Sequence, residues 1–138
     1  MNIKRYFLSS MALLAFIFVY ETLVHGFLLS TLYSTTPTLW RPFSQMQAYM
    51  PFNIGIMIAL SLWITFIFTR FFKEGGLSKG ICFGFYLGIL SGLQAAGAYY
   101  YLPISWKLAA AWFVFGMIES TLGGALIGGL YKHNRQFK

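Results

Sequence analysis

The stretch YFLSSMALLAFIFVYETLVHGFLLSTLY, Tyr6 to Tyr33, decides the fold. It carries only two ionisable side chains of the acid and base kind, Glu21 and His25, four residues apart within the segment FVYETLVHGFLL. A run this long and this apolar exceeds the ~20 residues a helix needs to cross the hydrocarbon core of a bilayer. In lipid the backbone must satisfy its own hydrogen bonds, so a segment of this kind is expected to be helical.

Three more segments read the same way, from Pro51 to Phe72, from Gly80 to Leu102 and from Trp106 to Tyr131. The short alternating segments of a membrane strand are absent. Composition agrees. Of the 138 residues, 58% are hydrophobic and only 9% are charged, against about 25% charged in a soluble domain. Such a chain cannot cover a water-facing surface with charge. The expected fold is an all-α, four-transmembrane-helix antiparallel bundle forming a single domain over residues 1–138. Its helices fall near residues 6–33, 51–72, 80–102 and 106–131. An outer loop spans 34–50.

The basic residues set an expected orientation. Lys4 and Arg5 precede the first segment, and Arg70, Lys73 and Lys79 lie between the second and third. Lys132, Arg135 and Lys138 follow the fourth, while Arg41 and Lys107 fall on the other side. Basic residues favour cytoplasmic loops, so both termini are expected in the cytoplasm and the host membrane to be the inner (plasma) membrane. The net charge of +7 then faces anionic headgroups and needs no nucleic acid to explain it. The first segment has the basic start and apolar core of a signal peptide. No small-x-small site follows the core, so an uncleaved helix is expected. Cys82 is the single cysteine; no internal disulfide is possible, and it is expected to be a small buried apolar residue.

Loop 34–50 holds Trp40, Phe43 and Tyr49 with Pro37 and Pro42, and Pro51 follows it. A short interfacial helix is expected near Phe43 to Tyr49, with Arg41 and Trp40 as headgroup or anion contacts. The loop Phe71 to Gly80 is short, and YYYLPISW is shorter. Short connections predict that the second and third segments are neighbours, and the third and fourth as well.

Glycines recur every fourth residue in the third segment, at Gly80, Gly84, Gly88 and Gly92. The fourth repeats the device at Gly116, Ser120, Gly124 and Gly128. Small residues at this spacing let another helix approach closely. The two stripes either meet each other or face a second protein.

Of three acids, Glu21 and Glu119 fall inside apolar segments and only Glu74 lies in a loop. Carboxylates are costly there, about 3 kcal/mol on insertion scales. At ~1.5 Å per residue, Glu21 and Glu119 each lie about 20 Å along their segments, and Gln94 falls at a similar depth. Glu21 and His25 share a face. Glu21, His25, Gln94 and Glu119 are therefore expected to form one polar cluster. It could lock the bundle, handle protons or ions, or hold a divalent metal at Glu21, His25 and Glu119. It could also line a quinone or lipid pocket with Tyr20 and Trp112 as walls. Haem would need a second membrane histidine, and His133 lies in the tail.

A pattern E-x4-G-x-L-x3-L-Y occurs at Glu21, Gly26, Leu28, Leu32 and Tyr33. It recurs at Glu119, Gly124, Leu126, Leu130 and Tyr131. Related helices running oppositely would fit an inverted repeat. The chain has no Asp, Walker loop or HExxH sequence, and an acid–base role for Glu21 and His25 toward a lipid is the one enzymatic reading left. Two functions follow. One is an accessory or structural subunit of a membrane complex, with other subunits, a second copy and lipids as partners. The other is a small dimeric transporter or proton-conducting or ion-conducting protein using Glu21, His25 and Glu119.

Overall fold

The computed structural model describes residues 2–131; Lys132, His133, Arg135 and Lys138 lie outside the described residues. The described residues hold six α-helices and no strand: α1 (Ile3–Leu23), α2 (Ser30–Tyr33), α3 (Phe43–Ala48), α4 (Met50–Phe71), α5 (Leu77–Gly97) and α6 (Trp106–Leu130). A π-helical turn, Val24–Leu28, continues α1, and 3₁₀ turns lie at Pro37–Leu39 and Ala98–Tyr100. Four helices are long and apolar enough to cross a membrane: Ile3–Leu28, Met50–Phe71, Leu77–Tyr100 and Trp106–Leu130. The chain is a multi-pass membrane protein by that measure. Most large apolar side chains of these spans face outward, Trp63 and Leu90 among them, as lipid requires.

The helix starts follow local chemistry. Asn2 caps α1 by accepting from the Arg5 N–H at 3.1 Å, and Ser105 caps α6 by accepting from Leu108 N–H at 3.2 Å. Both satisfy donors that a first turn leaves open. Pro51 sits in the first turn of α4, where its missing N–H costs nothing. The α4–α5 connection turns at Gly75 and Gly76, with φ of 65° and 112°, a region that side chains disfavour. Gly76 then donates its N–H to Gly128 O at 2.9 Å, which ties the turn to the end of α6.

The two glycine stripes meet each other. A Cβ on Gly88 would lie 2.9 Å from Met117 Cα, and one on Gly128 would lie 2.8 Å from Gly80 Cα. A Cβ on Gly124 would come within 2.7 Å of Gly84 Cα. No side chain fits there, and the two backbones touch along their length. Rising numbers in α5 meet falling numbers in α6, so this pair runs in opposite directions.

The expected adjacency of the second and third spans is not found. α4 packs on α1, α1 packs on α6, and α6 packs on α5. α4 and α5 meet through Phe68, Phe72 and Phe83 near their connection, where ring centroids lie 5.2 to 6.0 Å apart. The reason is that the face of α5 able to approach a backbone is committed to α6. α4 instead presents buried Ser61, Thr65 and Thr69, and α1 presents buried Ser9 and Ser10. These small polar residues permit a close α1–α4 contact, and Tyr6 Oη donates to Leu62 O at 3.0 Å across it. Cys82, expected to be buried, lies on an exposed face of α5, two positions from the Gly80 and Gly84 stripe and so turned away from α6.

Candidate functional site

Two clusters of buried side chains lie at opposite ends of the spans. At one end Leu13, Phe68, Ile127 and Tyr131 pack together, beside a cleft lined by Asn2, Arg70 and Lys73. At the other end Val24, Leu29, Ile104, Leu108 and Ala109 form a core against which Tyr20, Tyr33, Trp40 and Trp112 rest. The candidate site lies against this second cluster.

Its first wall is the end of α1 and the π turn. There the Leu29 N–H bonds Val24 O at 2.8 Å, across five residues instead of four. Such one-turn bulges insert an extra residue into a helix and are frequent at functional sites. Gly26 sits in this turn with no atom near the position of a missing Cβ, so nothing opposes the wider coil. His25 lies within it. In an unbroken helix His25 and Tyr33 would be about 12 Å apart along the axis. Here their rings stack at 5.8 Å, because the chain breaks at Leu29 and the Tyr33 ring leans back toward the start of its helix.

Tyr33 is the hub. Trp112 Nε1 donates to its hydroxyl at 2.7 Å, and that hydroxyl also bonds His25 Nδ1. Trp40 Nε1 donates to the Tyr33 carbonyl at 3.1 Å, and its ring packs edge-on at 5.0 Å. Burial raises the Tyr33 phenol above its ordinary value, which keeps the proton on it; the Trp112 donor offsets part of that, and the Glu21 charge adds to it. One placement of hydrogens then satisfies the whole chain of groups. Trp112 donates to Tyr33, Tyr33 donates to His25 Nδ1, and His25 Nε2–H faces Glu21 Oε2 at 3.4 Å. Glu21 is thereby oriented by a relay that begins on α6.

The second wall is α6. Tyr20 Oη donates to Phe115 O at 2.8 Å, which fixes α1 against α6. Glu119 follows one turn later and lines the same cavity as Glu21. α5 supplies the third wall through Ser91 and Ala95. Together these residues line a cavity of about 280 Å³ that is open on one side. Glu21, His25 and Glu119 all line it.

Gln94 does not join them. It is exposed on α5 and does not line the cavity. Gly92 faces α6, and Gln94 is two residues on, which turns it to the opposite side of the helix; Ser91 and Ala95 flank the glycine stripe and take the place expected of it. Trp40 is also displaced from its expected role, since its indole is turned inward onto Tyr33 and is half-buried. Arg41 is exposed and holds its guanidinium 4.7 Å from the centre of the Tyr49 ring, a cation–π contact beside α3, the short helix expected in this loop. Tyr33 itself is the functional residue that pattern reading passed over. A tyrosine eight positions after a histidine signals nothing unless the helix between them is known to break.

Tyr20 and Trp112 do line the cavity, as a quinone or lipid pocket would need. Among the described residues no three His, Cys, Asp or Glu side chains gather as a metal-holding set. The two ring nitrogens of His25 face Tyr33 Oη and Glu21 Oε2. The two E-x4-G patterns differ in surroundings. Gly124 is pressed against Gly84, whereas Gly26 meets nothing within 4 Å. No family model matches the chain, and no curated protein or solved structure matches it either.

Proposed function

We propose that the chain is a small multi-pass protein of the inner (plasma) membrane that binds and moves a proton or small cation at Glu21, His25 and Glu119. The observation that carries this reading is that these three side chains line one cavity within the spans. Intramembrane ionisable groups that face one another mark such paths. The antiparallel bundle with cytoplasmic termini supplies the frame: Arg70 and Lys73 lie near Asn2 and Tyr131, so basic residues gather at one end. A dimer is part of the proposal. The Glu21 and His25 side chains are 36% and 39% exposed on the open side of the cavity, and a second copy covers them. The test is ion flux in proteoliposomes. Glu21→Gln and Glu119→Gln each abolish flux while the protein still purifies as the same assembly. Wild-type vesicles that leak no faster than empty ones for protons, sodium or potassium would end the reading.

The accessory-subunit reading draws support from the same open side, which a helix of a different chain covers equally well. Its other support, the glycine stripes, is spent on the α5–α6 contact. Native mass spectrometry of protein extracted in mild detergent separates the two. A larger partner chain retained with it favours the subunit, and a lone homodimer favours the transporter.

A further inference from the structure

The walls of the cavity carry two carboxyls, those of Glu21 and Glu119. Neither forms a Lys or Arg ion pair among the described residues, where the one such pair is Lys79–Glu74 at 3.1 Å. His25 is the sole basic neighbour, and its two nitrogens are taken up by Tyr33 and Glu21. Two carboxyls on the walls of one small cavity resist ionising together in a medium of low dielectric, and a cation that enters favours the doubly charged state.

The walls choose among positive charges. A hard metal ion asks for about six oxygen ligands. This cavity offers two carboxyls, and Tyr20 Oη and Ser91 Oγ already donate to the Phe115 and Gly88 carbonyls, the latter at 3.3 Å. What surrounds the carboxyls instead is carbon: the rings of Tyr20, Tyr33, Trp112 and Phe115 and the methyl of Ala95. Carboxylate together with aromatic rings is the chemistry that holds ammonium groups bearing alkyl substituents. The volume of 280 Å³ is at the small end for ligand pockets.

Building on the reading of this cavity as the working site, we propose that its ligand is a small alkylated ammonium cation. Its nitrogen lies between Glu21 and Glu119, and its alkyl groups rest on Tyr20, Trp112 and Phe115. Such a group reaches the site either as a free amine or as the headgroup of a lipid.

The test is calorimetric titration of the full chain in maltoside detergent with choline, and in parallel with 3,3-dimethylbutan-1-ol, its neutral isostere. Choline is expected to bind saturably and at least about tenfold more tightly than the isostere. Glu119→Gln, and independently Glu21→Gln, are expected to weaken choline by about tenfold or more and leave the isostere unchanged. Trp112→Leu is expected to weaken choline more than the isostere. A short-chain phosphatidylcholine that displaces choline assigns the headgroup source, and failure to displace it assigns the free amine. Equal binding of choline and isostere, or no binding of choline, overturns the inference. Flux of protons or sodium that still depends on Glu119 would then leave the transport reading standing without it. Conversely, charge-selective choline binding in a protein that moves no ion sustains the inference and removes the transport reading.

Discussion

α6 makes two contacts of opposite character. Toward α5 it offers Gly124, Gly128 and Ser120, and the backbones meet with no side chain between them. Toward α1 it is held apart by bulk. Leu13 and Phe16 fill the space over Gly123, and farther along Tyr20 reaches the Phe115 carbonyl with its hydroxyl. The first contact leaves no room for a ligand, and the second leaves a cavity of 280 Å³. The difference shows how one helix can be both a fixed support and a wall of a site. Glycine removes the freedom of one face, and large aromatic residues on the other set a spacing that polar groups then occupy.

The comparison breaks most readily at the tight contact. Gly124→Leu places four carbons where Gly84 Cα would lie 2.7 Å from the first of them. Backbone cannot yield as a side chain can, so the expected loss is at least about 3 kcal/mol, read as the disappearance of monodisperse protein from detergent. Gly88→Leu is expected to do the same. At the cavity the effects are smaller and fall on function. Tyr33→Phe keeps the ring against Trp40 and removes the hydroxyl that joins Trp112 to His25. The expected stability cost is about 1 kcal/mol, by denaturant midpoint, with a larger proportional fall in flux because Glu21 loses its orientation. Trp112→Phe removes the indole donor to Tyr33 and part of the ring that packs beside Tyr33 and Trp40, and is expected to cost about 1 kcal/mol by the same measurement. Gly26→Ala sharpens the comparison from the other side. It occupies the matching place in the repeated pattern, yet nothing surrounds it. Its expected effect is within about 0.5 kcal/mol of zero, and a loss as large as that of Gly124→Leu would mean the two patterns share a role after all.

What the sequence disclosed follows from what is periodic. Four spans were legible because lipid demands long apolar helices. The meeting of Gly80, Gly84, Gly88 and Gly92 with α6 was legible because a spacing of four marks one face. Glu21, His25 and Glu119 were legible as a group because charge inside a span needs company. The rest depended on events with no period. The π turn at Val24–Leu28 shifts the chain by one residue, and a run such as VHGFL carries no mark of it. Depth alone placed Gln94 correctly along its helix and wrongly around it, since depth says nothing of rotation. The separation of α4 from α5 was hidden because a short connection constrains the ends of two helices, here Phe72 against Phe83, and leaves their bodies free to diverge.

One further consequence lies in the order in which the walls of the cavity are made. Glu21 and His25 leave the ribosome well before Glu119, with α4 and α5 synthesised in between. Chains emerge N-terminal end first. During that interval the walls that α6 supplies, Trp112 and Glu119 among them, are missing. The Tyr33 hydroxyl likewise waits for Trp112. The pocket is therefore absent from every nascent intermediate that lacks α6, and a molecule bound there would stabilise only chains in which α6 is in place. A small molecule that fits this cavity would act on translated protein as a pharmacological chaperone, raising the yield of completed chains without touching their insertion.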